Sequence, residues 1–511
     1  MLPGLFCAAL ACKPVRQSDW RTTYEKSGYV ATGRYQECLD YCERLQRASK
    51  FARVIRYGTS PQGRPMIALL ISRDGAFTPE KAAQSPKPLV LINNGIHSGE
   101  IEGKDASLIL AREILISKKE AFLIQGVNLL IVPVFSVDAH ERFGPYHRIN
   151  QNGPKEMGWR ANAVNLNLNR DFTKADAVEM RAMLRLLHTW RPDFFFDDHT
   201  TDGGDWRYSL MIGVPTGPGI AAPLARWSLQ METAIQPKVE ADGFLMAPYF
   251  DFFDPSNAAR GIAIEEFSPR YSNGYLAAMN RPSMLVETHM LKPYKVRVEA
   301  TYSVLMRTIQ YCELTAGSLK RLVRAADEAD RRLAPGAPVT LEAKNIRQSH
   351  PFLFKGWLYH PYPSAISGVM TPAWIHTPVD TPTVVFDQYE PSLTLPAPAA
   401  YAIPPEWRKI IRLVRLHGFG ISTLKRPMTA RFSTYRFDNV SYPRQSFESR
   451  FRPACAIVPV EQRRTLPAGT AIVRIGQPGA RLLMDLLEPQ ASDSLLRWGL
   501  MNAVFEQKEY F

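Results

Sequence analysis

Short runs of almost wholly apolar residues recur through the first part of this chain and constrain its fold more than any other feature. Leu89–Ile92 and Val127-Asn-Leu-Leu-Ile-Val-Pro-Val134 are two of them. Such runs are typical of central strands that are covered on both faces. Segments with helical apolar periodicity, such as Gly103–Ser117 and Ala175–Trp190, stand between the runs. The alternation over residues 36–330 predicts an α/β fold with a mixed central sheet and helices on both faces.

The remaining elements of this region follow from the same patterns. We predict a helix at Asp40–Ala52, a hairpin of strands Arg53–Tyr57 and Pro65–Ile71, a strand from Phe194, a last strand at Ser283–Thr288 and one long closing helix at Val296–Ala326.

The character of the chain changes after Ala334-Pro-Gly-Ala-Pro338. The rest is rich in proline and in short β-like runs such as Thr383–Phe386, which indicates a separate β-rich domain. We read Pro391–Pro405 as a loop or extended crossing. The predicted organisation is an N-terminal extension or signal remnant at 1–19, an α/β domain at 20–333 and the β-rich domain at 340–511.

Composition excludes some classes of function. The chain has 511 residues, enough for two domains, and carries 62 Lys+Arg against 49 Asp+Glu. The excess positive charge is mostly scattered arginine, so we predict a solvated surface and no nucleic-acid partner. After the apolar start of the chain, no segment reaches the roughly 20 apolar residues of a membrane span. That start does not decide between export and a cytoplasmic location. Cys38 and Cys42 are expected to be packed free thiols.

Polar residues with metal-binding side chains follow two of the predicted strands. His97-Ser-Gly-Glu100 comes directly after the apolar run that ends in Asn93-Asn94, and His199 closes Phe194-Phe-Phe-Asp-Asp-His199. Two histidines and one glutamate leave the fourth position of a tetrahedral zinc ion for water, which is the arrangement of a catalytic site. The sequence therefore predicts one zinc ion per chain and a zinc hydrolase.

Each ligand also has a structural interpretation. His97 fits a surface loop, and Glu100 fits the first turn of the following helix, where the macrodipole favours a negative charge. Near His199, three aspartates offer a carboxylate ligand in its place: Asp197, Asp198 and Asp202.

Other polar residues accompany these segments. Asn169 and Arg170 lie between the two histidine segments, and Gly158-Trp-Arg160 comes just before them. Glu287 stands near the end of the last predicted strand, where its structural alternative is an ion pair with a nearby lysine or arginine.

In this order and spacing, residues 20–330 resemble a zinc metallocarboxypeptidase of the carboxypeptidase A/B type, and the β-rich region resembles accessory regions of some bacterial members. The resemblance implies that His97, Glu100 and His199 bind zinc. It also implies that Glu287 is the general base and that Arg160 polarises the scissile carbonyl. By the same resemblance, Asn169 and Arg170 hold the terminal carboxylate of a peptide.

Two positions depart from this pattern or leave it open. Where the family commonly has an aspartate that hydrogen-bonds a ligand histidine, this chain has Asn167, which accepts a hydrogen bond but supplies no charge to the imidazole. Two residues are candidates for the family's mobile tyrosine, Tyr271 and Tyr275, and Tyr271 is the one we assign to substrate binding.

We therefore expect hydrolysis of a C-terminal peptide bond, with a peptide or protein C-terminus as substrate. Two rival functions remain: a zinc-dependent deacylase or cell-wall peptide amidase on the same fold, and a non-catalytic binding protein. The sequence leaves open the oligomeric state and the side-chain preference. Four acidic residues before the last strand fit either a basic substrate side chain or an exposed acidic loop: Asp251, Asp254, Glu265 and Glu266.

Overall fold

The structure is a computed structural model that describes residues 19–254 and 257–509. The predicted extension at 1–19 therefore lies outside the described residues, except for Asp19.

Strands and helices alternate in the first part of the chain. The strands are β1 (Ala52–Thr59), β2 (Pro65–Ile71), β3 (Leu89–Asn93), β4 (Asn128–Val132), β5 (Phe194–Thr200), β6 (Leu210–Gly213), β7 (Met246–Pro248), β8 (Asp251–Phe252), β9 (Ile262–Ala263) and β10 (Ser283–Thr288). The helices are α1 (Thr23–Lys26), α2 (Tyr35–Ala48), α3 (Pro79–Gln84), α4 (Glu102–Leu115), α5 (Val137–Glu141), α6 (Val178–Trp190), α7 (Ala222–Ala241), α8 (Ser272–Ala278), α9 (Tyr294–Leu314) and α10 (Ala316–Arg331).

Eight of these strands form one mixed sheet in the order β1-β2-β4-β3-β5-β10-β6-β7. The four central strands β4, β3, β5 and β10 are parallel to one another. Strand β2 pairs antiparallel to β4, and β6 pairs antiparallel to β10 but parallel to β7. Strands β3, β4, β5 and β10 are buried along their whole length, as expected for strands covered on both faces. The predicted mixed α/β sheet is confirmed.

The predicted closing helix is wrong in one respect, because the structure has two helices instead of one. The break is at Thr315, whose backbone ends α9 and precedes α10 with φ −105° and ψ 14°. The Thr315 hydroxyl donates to the carbonyl of Tyr311 at 2.7 Å and accepts from the indole N–H of Trp227 at 3.3 Å. The first bond is the local back-bonding that often bends helices, the second joins Thr315 to a residue distant in sequence, and apolar periodicity reveals neither.

The C-terminal region is rich in strands, as predicted. Its elements are β11 (Pro338–Asn345), β12 (His350–Pro363), β13 (Met370–Phe386), β14 (Tyr389–Pro396), β15 (Ala400–Ile403), α11 (Arg408–Leu416), β16 (Ser422–Thr423), β17 (Met428–Ser441), β18 (Ala454–Leu466), β19 (Ala471–Arg474) and α12 (Ala480–Leu487). The stretch read as a loop, Pro391–Pro405, instead contains most of β14 and all of β15, because partners distant in sequence, β11 and β19, pair with it.

The C-terminal region packs closely against the α/β region. One cluster of buried apolar side chains extends from the central sheet to Ile410, Val414 and Val473. Strand β13 also pairs with β9, which places the hairpin β12–β13 in one four-stranded sheet with β9 and β8. This sheet joins the hairpin to the edge of the α/β region where the candidate site lies. The boundary between two domains near residue 335 stays a prediction.

Two further sequence predictions are tested by the described residues. Cys38 and Cys42 are buried free thiols, as predicted. Within residues 19–254 and 257–509, no helix combines the length and apolar composition needed to span a bilayer.

Candidate active site

Three side chains at adjacent strand ends form the centre of the site. His97 and Glu100 lie between β3 and α4, and His199 lies near the end of β5, which pairs with β3. One potential ligand atom from each residue lies within 4.8 Å of the others, and all three residues are buried. Parallel neighbouring strands bring their carboxyl ends to one edge of the sheet, which explains why residues about a hundred positions apart meet.

Hydrogen bonds orient both imidazoles. The Nε2 atom of His97 lies 2.9 Å from Oδ1 of Asn167, and Nε2 of His199 lies 3.0 Å from Oδ2 of Asp197. With Nε2–H donated to these oxygens, the Nδ1 atoms are free as acceptors, and both lie near Oε2 of Glu100, at 3.2 Å and 3.1 Å. Two neutral imidazole nitrogens and a carboxylate oxygen are the donor set of a catalytic zinc site, so the residues fit this metal.

The three aspartates near His199 have other roles. Asp197 accepts the hydrogen bond from His199, and Asp202 pairs with Arg148 at 3.2 Å. Asp198 lies on the other face of β5, against the start of α4, where a Cβ at Gly103 would come 2.3 Å from its Oδ2. The structure thus places His199, and none of these aspartates, in the potential metal-binding group.

Arg148 is a further residue of the site, and the sequence did not indicate it. Its buried guanidinium lies 2.5 Å from Oε1 of Glu100 and donates to the carbonyls of Thr200 and Thr201 at 3.1 and 3.0 Å. Burial favours a neutral Glu100, but the positive charge of Arg148, together with the nearby His97 and His199, outweighs it, so the pKa of Glu100 is well below its usual value. No motif marks Arg148 among the many scattered arginines, so nothing in the sequence singled it out.

Glu287 lies on β10, in register with His199 on the parallel strand β5. It is buried, and burial raises the pKa of its carboxyl group to about 8, although the neighbouring His199 opposes this shift. A divalent cation at the histidines would favour the carboxylate form further. The register brings a carboxylate beside the potential metal ligands without making it one of them.

Asn169, Arg170 and Tyr271 form one group at the side of the cavity. The guanidinium of Arg170 stacks over the ring of Tyr271 at 4.3 Å, and the amide oxygen of Asn169 accepts from the backbone N–H of Ser272 at 2.9 Å. This cation–π contact and a hydrogen bond from the guanidinium to the backbone carbonyl of Asn169 at 2.8 Å hold Arg170 in place, and its remaining N–H groups are able to bind an anion. We refer to Asn169, Arg170 and Tyr271 as the anion clamp.

The structure separates the two candidate tyrosines. Tyr271 lines the cavity, whereas Tyr275 is fully buried. The hydroxyl of Tyr275 lies 2.9 Å from both His188 and His417, a residue of the C-terminal region. Tyr275 therefore has a packing role, and only Tyr271 is in a position to contact a ligand.

Arg160 contacts the carboxylate oxygen of Glu100 that does not face the imidazoles. One of its nitrogens is 3.0 Å from Oε1 of Glu100, and its side chain is 39% exposed. Because the side chain is partly exposed and lines the cavity, it is able to turn toward a ligand beside the metal ligands.

Every site residue predicted from the sequence lines a single cavity of about 580 Å³: His97, Glu100, Arg160, Asn169, Arg170, His199, Tyr271 and Glu287. Between the anion clamp and Glu287 the wall is apolar and aromatic. The rings of Tyr249 and Phe267 are stacked with centroids 6.2 Å apart, and Leu285 lies on the same side of β10 as Glu287. Gly213 keeps space open there, since a Cβ on it would meet Phe267 at 3.2 Å.

The four acidic residues considered for specificity are dispersed. Asp251 lines the cavity, and burial raises the pKa of its carboxyl group. Asp254 instead pairs with Arg260 at 3.0 Å. Glu266 lines a separate small cavity, and Glu265 lines neither of the two. Of the four, only Asp251 lies where it is able to meet a substrate in the main cavity.

Comparisons with known proteins agree with this geometry. Residues 38–202 match the family model of the zinc carboxypeptidases. Carboxypeptidase 2 of Trichophyton rubrum is 20% identical over 478 residues, which cover 90% of this chain and 82% of that protein. The probable carboxypeptidase 2 of Arthroderma benhamiae is 21% identical over 454 residues, covering 85% of this chain and 80% of that protein.

Solved structures were compared as well. A metallo-carboxypeptidase from Burkholderia cenocepacia aligns with a TM-score of 0.41 and 17% identity, over 54% of this chain and 68% of that chain. Carboxypeptidase A from Helicoverpa armigera aligns with a TM-score of 0.41 and 17% identity, over 57% of this chain and 74% of that chain.

The sequence comparisons and the arrangement of the site lead to the same family. The matched segment contains His97, Glu100 and His199, the three residues that form the potential metal-binding group. Over residues 38–202, which hold all three residues of the potential metal-binding group, the chain is similar to the zinc carboxypeptidases.

Proposed function

We propose that this protein is a zinc metallocarboxypeptidase that releases the C-terminal residue of peptides, with the site residues in the roles described below. The observation that carries the proposal is that one cavity is lined by a buried His-Glu-His group, by the anion clamp and by Glu287, which lies in register with His199. A metal-binding group alone would fit many hydrolases. The clamp beside it fits an enzyme that acts at a free carboxyl terminus.

In this proposal, His97 and His199 would hold a zinc ion through their Nδ1 atoms, together with the carboxylate of Glu100. When bound, the ion supplies an activated water and polarises the scissile carbonyl. Asn167 and Asp197 fix the ring orientations that present the two Nδ1 atoms.

Glu287 and Arg160 carry out the remaining steps of hydrolysis. The carboxylate of Glu287 takes a proton from the attacking water and then delivers it to the nitrogen of the departing amine. The guanidinium of Arg160 donates hydrogen bonds to the carbonyl oxygen as negative charge develops there. The partial exposure of Arg160 supports this role, because its side chain is free to leave Glu100 when a substrate enters.

The anion clamp sets the position of cleavage. The guanidinium of Arg170 and the amide of Asn169 bind the terminal carboxylate, which places the last peptide bond at Glu287. The side chain of the terminal residue then faces the wall that includes Phe267 and Leu285. Because this wall is apolar, we expect preferred release of large apolar or aromatic C-terminal residues.

The test is to incubate purified protein with a mixed peptide library, to identify the released amino acids by mass spectrometry and to measure zinc content in the same preparation. We expect about one zinc ion per chain, in accordance with one catalytic site. We also expect sequential release from the C-terminus, loss of release after chelation, and recovery when zinc is added back.

The same assay separates the rival functions. The protein would be a deacylase or amidase if it contains zinc and releases no residue from ordinary peptides but hydrolyses N-acyl amino acids or cell-wall peptides. Cleavage of internal bonds, or equal cleavage of peptides with a C-terminal amide, would contradict the role of the anion clamp. A protein that binds peptides and zinc but hydrolyses none of these substrates would be a binding protein.

One prediction concerns the metal ligands themselves. Changing Asn167 to Asp is expected to increase zinc affinity about tenfold, because a carboxylate that accepts from Nε2 of His97 raises the basicity of the ligand nitrogen. The affinity is measured by competition with a chromophoric chelator at fixed pH. Asn439→Asp, at an exposed position on β17 that does not line the cavity, is the control for added negative charge. Unchanged or weaker zinc binding in Asn167→Asp would contradict the assignment of His97.

A further inference from the structure

The hairpin β12–β13 of the C-terminal region forms one wall of the active-site cavity. Trp357 and Tyr359 on β12, and Trp374 on β13, line this wall. Tyr359 and Trp374 are directly opposite each other across the hairpin, with ring centroids 5.0 Å apart. We refer to these three residues as the aromatic wall. None of the steps of hydrolysis described above uses it.

The hairpin is held firmly against the α/β region. Gly356 forms an isolated antiparallel bridge with Trp206, and the backbone N–H of Arg207 donates to the carbonyl of Lys355 at 3.1 Å. The guanidinium of Arg207 pairs with Asp380 on the second strand of the hairpin at 2.5 Å. Both strands of the hairpin are therefore anchored to the α/β region, so the aromatic wall has a defined position in the cavity.

Strand β5 shows on which side of the reaction centre the wall lies. Asp197 accepts a hydrogen bond from the hydroxyl of Ser272, the residue that follows Tyr271 of the anion clamp. Two residues along the strand is His199, a potential metal ligand. The chain then continues to Trp206, which bridges to the hairpin. The order along the strand is therefore anion clamp, metal ligands, hairpin.

Strand β10, parallel to β5, gives the same order. Leu285 lines the apolar part of the cavity and Glu287 lies in register with His199. The chain then reaches His289, whose Nε2 accepts from the backbone N–H of Trp206 at 3.2 Å. A strand rises about 3.3 Å per residue, so about 7 Å separates the positions of Glu287 and His289. An extended peptide covers this distance with about two residues.

We propose that the aromatic wall binds a large apolar or aromatic side chain of the substrate, two or three residues on the N-terminal side of the scissile bond. The proposal rests on the proposed carboxypeptidase function, since the anion clamp sets the direction in which the peptide runs. The terminal carboxylate lies at the clamp, so the preceding residues extend past Glu287 toward the hairpin.

The charges that line the cavity support this polarity. The arginines in the lining, Arg160 and Arg170, belong to the reaction centre and to the clamp. The other charged lining residues beyond the centre are Asp202 and Asp251, which disfavour an acidic substrate residue in the extended part of the cavity. Aromatic faces with acidic neighbours favour apolar side chains, tolerate basic ones and reject acidic ones.

The test compares substrates that reach the wall with one that does not. An N-acylated dipeptide ending in Phe has a single residue before the scissile bond. Pentapeptides ending in Phe carry Phe, Ala or Glu at the second or third residue before that bond, and Ala elsewhere. For wild-type protein we expect kcat/KM to be about tenfold higher with Phe than with Ala at one of these positions, and lowest with Glu.

Trp374→Ala should remove the preference for Phe while changing kcat/KM for the acylated dipeptide by less than about twofold. Retained dipeptide hydrolysis also shows that the variant is folded. Trp374→Phe should keep most of the preference. Tyr362→Ala, an exposed aromatic residue on β12 that does not line the cavity, is the matched control and should behave as wild type.

Two results would overturn the inference without affecting the proposed function. One is that kcat/KM of the wild-type protein does not depend on the residue at either upstream position. The other is that Trp374→Ala lowers kcat/KM equally for the acylated dipeptide and for the pentapeptides. Absence of release from every peptide by wild-type protein would instead overturn the proposed function, and this inference with it.

Discussion

Glu287→Gln is expected to lower kcat for peptide hydrolysis by about 10²–10⁴-fold while zinc binding is retained. Glutamine has nearly the same shape as glutamate but takes no proton from the attacking water. Glu287 lies in register with His199 and lines the cavity, but it is not one of the three residues of the potential metal-binding group. The substitution should therefore lower the activity without removing the zinc ion.

The measurement is kcat for release of a C-terminal residue, with zinc content and thermal stability determined on the same sample. The control is Glu299→Gln, an exposed glutamate on α9 remote from the cavity, which should leave kcat unchanged. If Glu287→Gln keeps more than about a tenth of the wild-type activity, Glu287 is not the general base, since such a base contributes at least about 100-fold. Loss of zinc in this variant would point to a ligand role instead.

The location of the candidate site was predictable because several of its polar residues stand at the ends of predicted strands. His199 and Glu287 stand near the ends of apolar runs, and parallel strands place such ends at one edge of a sheet. In the sequence, Asp197 is an alternative to His199 as the third metal ligand. The structure shows why the sequence alone does not decide between them. Asp197 is two residues away on the same face of β5, and only the hydrogen bond from Nε2 of His199 reveals that Asp197 orients this potential ligand.

Features that depend on contacts distant in sequence were not predictable. Arg148 stands in a loop without regular periodicity, and its role follows from reaching Glu100 and the carbonyls after His199. The break between α9 and α10 lies at Thr315, whose hydroxyl accepts a hydrogen bond from Trp227, a residue distant in sequence. In each case a polar side chain finds a partner that the local pattern does not indicate.

The contribution of the C-terminal region to the cavity is of the same kind. Its strands were evident from short apolar runs, but the aromatic wall faces the cavity only because Gly356 bridges to Trp206 and β13 pairs with β9. Alternation along a hairpin tells which residues share a face, and the packing of the hairpin decides which face meets the substrate.

Arg170→Gln is expected to reduce kcat/KM for peptides with a free C-terminus by roughly 100-fold, which corresponds to the loss of a charge-assisted bidentate contact worth about 3 kcal/mol. The guanidinium stacks on Tyr271 and is half-buried, and burial lowers its pKa without an acidic partner large enough to offset the effect. Among the residues that the structure describes, Glu448 offsets only part of this effect and no carboxylate forms a salt bridge with Arg170, so the cation fits the binding of an anionic group of the substrate.

The decisive measurement is the ratio of kcat/KM for a peptide acid to that for the same peptide as its C-terminal amide. Wild-type protein should strongly prefer the acid, because only the acid places a carboxylate at the clamp. In Arg170→Gln this ratio should fall close to one, since the amide substrate never used the lost charge. Arg185→Gln, an exposed arginine on α6, is the matched control. If Arg170→Gln lowers kcat/KM equally for the acid and the amide, Arg170 supports the structure of the site and does not select the carboxyl terminus. The exopeptidase assignment would then lose its main physical basis.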